Sequence, residues 1–316
     1  MSRISVIDVG CSGGIDPLFA NLRADFFGFE ASPEQFRELP AAKNTRYFQL
    51  LVSDTAGEKD FFAFSHVGSV TARPDRETLY GERYEKLRLP CQTLAGLRES
   101  GTLPGLDVIK ADVEGHEMAV FRGAEPYLSK ETLAVKAEFG FKTSFSDLHA
   151  FFAQRGFFLA GLAYNVGVLG ELEAGDALWL RSVESALQLS RIRQAAEIAF
   201  ALRFYDYGRI ALRRGVEEGM LTKEDAESLD RANGRALLLD LYPPLSYALS
   251  QAAFLASQLL AGRSWRTKST PKQNRLGQSR WLTVPLRFAP GYRKWFEERL
   301  RCYRVDYRAG KGGAPE

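Results

Sequence analysis

The chain has 316 residues, enough for two average domains or for one large domain with an appendage. Its 45% apolar and 26% charged residues exclude a mostly disordered or fibrous protein. The net charge of +3 hides an asymmetry, because residues 263–316 hold 14 Lys and Arg against 4 Asp and Glu, whereas residues 1–262 hold 28 against 35.

The first 181 residues alternate apolar runs of strand length with segments of helical spacing, which predicts a doubly wound α/β fold with a mostly parallel, seven-stranded sheet. Strands are expected near Ile4–Val9, Asp25–Glu30, Tyr47–Val52, Asp107–Ala111, Leu133–Phe139, Phe157–Leu162 and Ala177–Arg181. Asp16 before Pro17, and Ser32-Pro33-Glu34-Gln35, carry helix-start signatures: a side-chain oxygen to accept the first free N–H groups, then a proline that has no N–H to lose. The stretch Ser65–Leu89, with Arg73, Arg76, Tyr80, Arg83 and Tyr84, reads as a loop suited to a polar or anionic acceptor.

Beyond Arg181 the pattern changes. Residues 183–262 place Ala and Leu at helical spacing, with Thr222–Asp225 as a further cap, and predict a small helical domain punctuated by Gly208, Gly215 and Gly219 and turned at Pro243-Pro244. Residues 263–316 form a basic extension in which Trp281, Phe288, Tyr292, Trp295 and Tyr303 interleave with arginines. The expected division is therefore 1–182, 183–262 and 263–316. The tail's charge suits an anionic membrane surface or an acidic partner.

Three scattered cysteines, Cys11, Cys91 and Cys302, build neither a disulfide framework nor a zinc knuckle, as expected of a reducing compartment. The first apolar stretch ends at Asp8, too early for the core of a secretory signal, and no run of 18 apolar residues follows. The expected location is cytoplasmic, with peripheral attachment at the inner face of a membrane as an option that the tail leaves open.

The sharpest motif is Val6-Ile7-Asp8-Val9-Gly10-Cys11-Ser12-Gly13-Gly14, a buried strand running into a glycine-rich loop. Glycine lets backbone turn tightly and approach a ligand closely, but the spacing is not the G-x-G-x-x-G of a pyrophosphate loop. Twenty residues after Gly10 stands Glu30, at the end of the second strand, where a carboxylate can accept from two ribose hydroxyls. Together they point to a nucleoside without a pyrophosphate.

This string resembles motif I of class I S-adenosylmethionine-dependent methyltransferases, and Phe27-Gly28-Phe29-Glu30 is similar to their acidic second-strand motif. Asp107-Val108-Ile109-Lys110-Ala111-Asp112-Val113-Glu114-Gly115-His116-Glu117, followed by Phe121-Arg122-Gly123-Ala124, resembles the signature of the FkbM-type methyltransferases over roughly residues 4–181. Ala31 departs from the proline that many members carry. The resemblance implies a Rossmann-like methyltransferase fold and S-adenosyl-L-methionine as cofactor. It further implies that Asp8, Gly10, Ser12 and Gly13 shape the methionine pocket, that Glu30 holds the ribose, and that Ser53 and Asp54 stand near the adenine, although an Asx-type turn before Gly57 explains Asp54 equally well.

In an open parallel sheet, ligands gather at the carboxyl ends of the strands, which brings Asp112, Glu114 and His116 to the reaction. Transfer to a hydroxyl needs a base: His116 has the fitting intrinsic pKa, and Asp112 or Glu114 either orients it or acts directly. Glu138 reaches the same rim, or else pairs with Lys136 or Lys142. His66 and His149 read as structural, and no metal site is expected. The implied acceptor is a small molecule or a glycan hydroxyl. Two alternatives stand beside it: a nucleic-acid methyltransferase using the basic tail, disfavoured because Asp112-Val113-Glu114-Gly115 replaces the N/D-P-P-Y/F element of base methylation, and a non-catalytic scaffold. Oligomeric state is left open.

Overall fold

The computed structural model describes residues 3–64, 68–70, 84–140, 142–166 and 172–241. His66, the 71–83 part of the expected acceptor loop, Pro243-Pro244 and the whole 263–316 extension lie outside the described residues.

The main sheet contains β1 (Ile4–Val9), β2 (Ala24–Phe29), β3 (Thr45–Phe48), β8 (Val108–Ala111), β9 (Ala134–Phe139), β10 (Phe157–Val166) and β11 (Leu172–Arg181), in the order β3-β2-β1-β8-β9-β11-β10. The first five run parallel. β11 inserts antiparallel between β9 and β10. The order reverses between β1 and β8, so a crevice opens there at the carboxyl ends of the strands.

Every residue of β1 is buried, as a strand covered on both faces requires. Ile7 and Val9 face one core with Phe27, Phe29 and Ile109, closed by α2 (Leu94–Glu99), α3 (Glu117–Arg122), α4 (Glu125–Leu128) and α5 (Phe145–Ala153). Ile4 and Val6 face the other, with Val108, Leu178 and Leu180. That second face is covered by helices that follow the last strand: α6 (Val183–Gln188), α7 (Ile192–Ala201) and α8 (Tyr205–Glu217) supply Val183, Ala186, Ile192, Ala195, Ala199 and Leu212. The compact unit accordingly runs from Met1 to Asn233, and the boundary expected after residue 182 falls at a strand-to-helix junction inside it. The second unit, Gly234–Glu316, is described only through Leu241, where α9 (Lys223–Leu241) ends.

Three expectations are corrected. The strand expected at Tyr47–Val52 breaks at Gln49-Leu50: β3 stays in the main sheet, while β4 (Leu51–Val52) joins a small second sheet with β5 (Gly57–Ala63), β6 (Gly68–Ser69) and β7 (Glu85–Gln92), in the order β4-β7-β5-β6. Residues 85–89 are therefore strand and not loop, with Leu87, Leu89 and Cys91 turned toward a small core around Leu51 and Phe61. Gly208 and Gly215, read as breaks, lie inside α8. A Cβ on Gly208 would stand 2.7 Å from the Phe200 ring, so glycine there lets α8 approach α7.

The capping signals are realised. Asp16 accepts from Leu18 N at 2.8 Å and starts a single 3-10 turn, Pro17–Phe19. Ser32 accepts from Gln35 N at the start of α1 (Pro33–Arg37). Thr222 accepts from Asp225 N at 3.1 Å.

Candidate active site

β1 ends in Gly10, whose φ of +77° turns the chain away from the sheet, and Gly13 repeats the left-handed conformation at +78°. A Cβ on Gly10 would fall 1.9 Å from the Asp112 carbonyl oxygen, whereas nothing lies within 4 Å of one on Gly13. The first glycine packs backbone on backbone beside β8, and the second leaves backbone open toward a ligand.

The loop is held from below by charge. Asp8 is fully buried, accepting from Asp16 N at 2.7 Å through Oδ2 and facing the Lys110 ammonium at 3.1 Å through Oδ1. Burial raises the Asp8 pKa despite Lys110. Lys110 also donates to the Gly10 carbonyl at 2.7 Å and reaches Asp112 at 3.5 Å. Burial opposes its charge, but Asp8 and Asp112 outweigh that cost and hold it firmly protonated. The sequence reading missed Lys110 as a site residue; its signal was a lone cation within the apolar run Asp107–Ala111. A second ion pair, Lys136 to Asp16 at 2.7 Å, secures the far end of the loop. Lys136 also pairs with Asp176 at 3.0 Å, and no ion pair with Glu138 is recorded among the described residues.

Glu30 follows β2, is 5% exposed, and accepts from Ser32 N at 2.8 Å through Oε1. Burial pushes its pKa above the ordinary value. It lines a cleft of about 420 Å³ together with Gly10, Ser12, Gly13, Lys110, Asp112, Glu114 and His116. The cleft's apolar wall comes from Leu50, Leu51, Val52 and Phe61, so the small sheet forms one side of it. Ser69 Oγ donates to the Glu114 carbonyl at 3.2 Å and ties β6 to the loop after β8.

That loop is built around Glu117, a residue 1% exposed. Its Oε1 accepts from Val113 N and Gly115 N, both at 3.0 Å, and its Oε2 accepts from the Thr143 hydroxyl. Glu114 adopts φ +56°. His116 Nε2 lies 2.7 Å from Ser53 Oγ. Burial lowers the His116 pKa, with Lys59 acting in the same direction and Asp54 against it, so the imidazole is neutral at pH 7. Glu138 hydrogen-bonds Asp112 and is pushed up to about 8 by burial and by the neighbouring carboxylates of Asp112, Glu114 and Glu117.

The structure thus brings Gly10, Ser12, Gly13, Glu30, Asp112, Glu114 and His116 to one cleft, with Asp8 buried beneath it. Ser53 and Asp54 are not among the described residues that line it. Ser53 is buried behind His116, and Asp54 is exposed beside Lys59. His149 accepts from the Trp179 indole at 3.3 Å in the core. Among the described residues no group of three or more His, Cys, Asp and Glu side chains is arranged to hold a metal, and no helix is long and apolar enough to cross a membrane.

A parallel sheet that reverses at β1/β8, ends in an antiparallel hairpin pair, and carries the glycine loop and acidic second strand on one crevice is the Rossmann-like fold of the class I methyltransferases. Residues 17–159 match the family model of the methyltransferase FkbM domain. Solved structures similar to it include the methyltransferase FkbM of Methylobacillus flagellatus KT, at 12% identity and TM-score 0.35, covering 57% of this chain and 45% of that one. The chain thus spans less than half of that protein's length. Magnesium protoporphyrin IX methyltransferase (ChlM) of Synechocystis PCC 6803, solved with bound S-adenosylmethionine, aligns at 14% identity and TM-score 0.30, covering 57% and 71%. A TehB-like methyltransferase of Corynebacterium glutamicum aligns at 13% and 0.27, covering 58% and 83%. No curated protein matches the chain at a significant level.

Proposed function

We propose that the protein is an S-adenosyl-L-methionine-dependent O-methyltransferase acting on a hydroxyl of a small molecule or glycan. The observation that carries this reading is the convergence, on one cleft, of the open Gly13 backbone, the buried Glu30 carboxylate and the neutral His116 imidazole.

The residues fit the donor. Among the described residues no cation is bonded to Glu30, which retains acceptor capacity beyond Ser32 N and so suits a ribose diol. Leu50, Leu51 and Val52 offer apolar surface to a purine, and the Gly10–Gly13 loop leaves room for the methionine portion. When bound, the sulfonium supplies an electrophilic methyl group to an oxygen held in line with it. The chain's own work is to align that oxygen and to remove its proton. His116 suits the second task because it is uncharged at neutral pH and stands on the cleft wall. Asp112, 40% exposed and held by Lys110 and Glu138, is placed to accept from the acceptor's hydroxyls and orient it.

The test is calorimetric titration of S-adenosylmethionine and S-adenosylhomocysteine into the wild type and Glu30→Ala. Micromolar binding that weakens tenfold or more in the variant, about 1.4 kcal/mol, supports the ribose assignment. Hydroxylated saccharides and small alcohols are then screened for release of S-adenosylhomocysteine. Absence of donor binding to the wild type would sink the reading.

From the charge surplus of residues 263–316 we also infer that the enzyme works in the cytoplasm against an anionic membrane surface. Equal cosedimentation of the full chain and a 263–316 deletion with anionic vesicles would remove this idea.

A further inference from the structure

His116 is backed by two residues that stand outside the cleft. Its Nε2 lies 2.7 Å from Ser53 Oγ, and Ser53 Oγ donates to Asp54 Oδ1 at 2.9 Å. Thr55 Oγ1 and Lys59 Nζ converge on the same carboxylate oxygen, each at 3.3 Å. Ser53 is fully buried, its own N–H is fixed on the Gln92 carbonyl at 3.0 Å, and its side chain also stands within hydrogen-bond reach of the Cys91 thiol.

The protons in this chain can be assigned by counting. Although burial opposes it, the hydrogen bond from Ser53 and the neighbouring Lys59 hold the Asp54 pKa below its ordinary value. Asp54 is therefore a carboxylate with no proton to give. The Ser53 hydroxyl has one proton, and the contact to Asp54 takes it. The proton between Ser53 Oγ and Nε2 must then come from the imidazole. A neutral imidazole that donates through Nε2 has its lone pair at Nδ1.

We propose that Asp54 and Ser53 are positioning residues that lock His116 in its Nε2–H tautomer, so that Nδ1 is the proton acceptor of the reaction. As the acceptor oxygen forms its bond to the methyl carbon, the carbon–sulfur bond breaks with its electron pair retained by sulfur, and the O–H proton passes to Nδ1. The imidazolium then forms with Nε2–H on Ser53 and the Asp54 charge one hydroxyl away, an arrangement of the kind that orients and stabilises a catalytic histidine. The charged groups around it are Asp54, which favours the imidazolium, and Lys59, which opposes it. Cys91, beside Ser53, has its thiol pushed up by burial and donates to the Thr55 carbonyl at 3.3 Å, so it adds no charge.

The proposal rests on the methyltransferase reading of the cleft, but its test needs neither donor nor acceptor. The chain has three histidines, so long-range proton–nitrogen correlation spectra of the full-length, histidine-labelled protein are simple, and His116→Gln identifies the His116 signals. At pH 7 the wild type is expected to show Nε2 protonated and Nδ1 bare. Asp54→Ala removes the acceptor of the Ser53 proton, which frees the hydroxyl to donate to Nε2 and moves the population to the Nδ1–H form; it also lowers the His116 pKa by removing a negative charge. Ser53→Ala abolishes the tautomer preference, and Ser53→Thr restores it. An Nδ1–H or evenly mixed imidazole in the wild type, or spectra unchanged by Asp54→Ala and Ser53→Ala, would overturn the relay. Failure of S-adenosylmethionine to bind would instead remove the reading beneath it and leave these spectra as expected.

Discussion

The Lys110 ammonium stands 3.1 Å from the Asp8 carboxylate with 6% and 0% of the two side chains exposed, so the centre of the cleft floor is a buried ion pair. Removing one partner strands the other in a low-dielectric interior, which costs about 3–5 kcal/mol in such pairs. Lys110→Met is expected to lose that much in urea unfolding. It should also weaken donor binding, because the Gly10 carbonyl loses its 2.7 Å donor. The double variant Asp8→Asn, Lys110→Met should cost less than the sum of the single changes. Strict additivity would show that the pair is not coupled.

The two loop glycines differ in what surrounds them, and their substitutions should differ accordingly. Gly13→Ala adds a methyl in open space and meets only the penalty of a left-handed backbone, about 1–2 kcal/mol. Gly10→Ala drives a methyl against the Asp112 carbonyl oxygen, and no side-chain rotation can relieve that contact. The expectation is a folded Gly13→Ala protein with a modest loss of stability, and a Gly10→Ala protein that is insoluble or has lost its cleft. Circular dichroism and unfolding midpoints distinguish them, and equal costs would refute the assignment.

How far this arrangement could be read from sequence depends on whether the signal is local. β1, its glycine loop and Glu30 are local: a fully buried strand, obligatory left-handed glycines and a fixed spacing along one crossover. The match of Ile4–Val9 to its expected bounds follows from burial on both faces. The small second sheet was harder. Glu85–Gln92 alternates Leu87, Leu89 and Cys91 with Lys86, Arg88, Pro90 and Gln92, a period of two that was available, but the dense Arg and Tyr before it drew the segment into a loop. The break after Phe48 has no such signal, since Leu50, Leu51 and Val52 continue the apolar run and only tertiary pairing with Gln92 diverts it. The contact of His116 with Ser53 spans 63 residues and depends on where β4 is placed, so the family resemblance pointed Ser53 and Asp54 to the adenine and not to the imidazole.

Glu117 is a staple of the loop carrying His116. One carboxylate oxygen satisfies two backbone N–H groups, those of Val113 and Gly115, and the other takes the Thr143 hydroxyl. Leaving a buried donor unpaired costs about 1–3 kcal/mol. Glu117→Ala should therefore destabilise by about 3 kcal/mol or more and expose the amides of residues 113 and 115 to hydrogen exchange. Thr143→Val, which removes a single partner, should cost about 1 kcal/mol. Unchanged exchange at Val113 and Gly115 in Glu117→Ala would contradict the staple.

Glu138 gives the fold a pH dependence of definite sign. Burial, reinforced by the carboxylates of Asp112, Glu114 and Glu117, moves its pKa from an ordinary 4.5 up to about 8. Between those values the folded chain binds a proton that the unfolded chain has released. Stability from this group is therefore present in full below about pH 4.5, falls steadily as pH rises through neutrality, and is lost above about pH 8. Glu138→Gln cannot ionise and keeps an amide donor toward Asp112. The variant should match the wild type near pH 5, exceed it in urea unfolding at pH 8.5, and show a flatter profile between. A difference between wild type and variant that stays constant as pH rises would mean that Glu138 ionises freely and that the acidic rim is solvated.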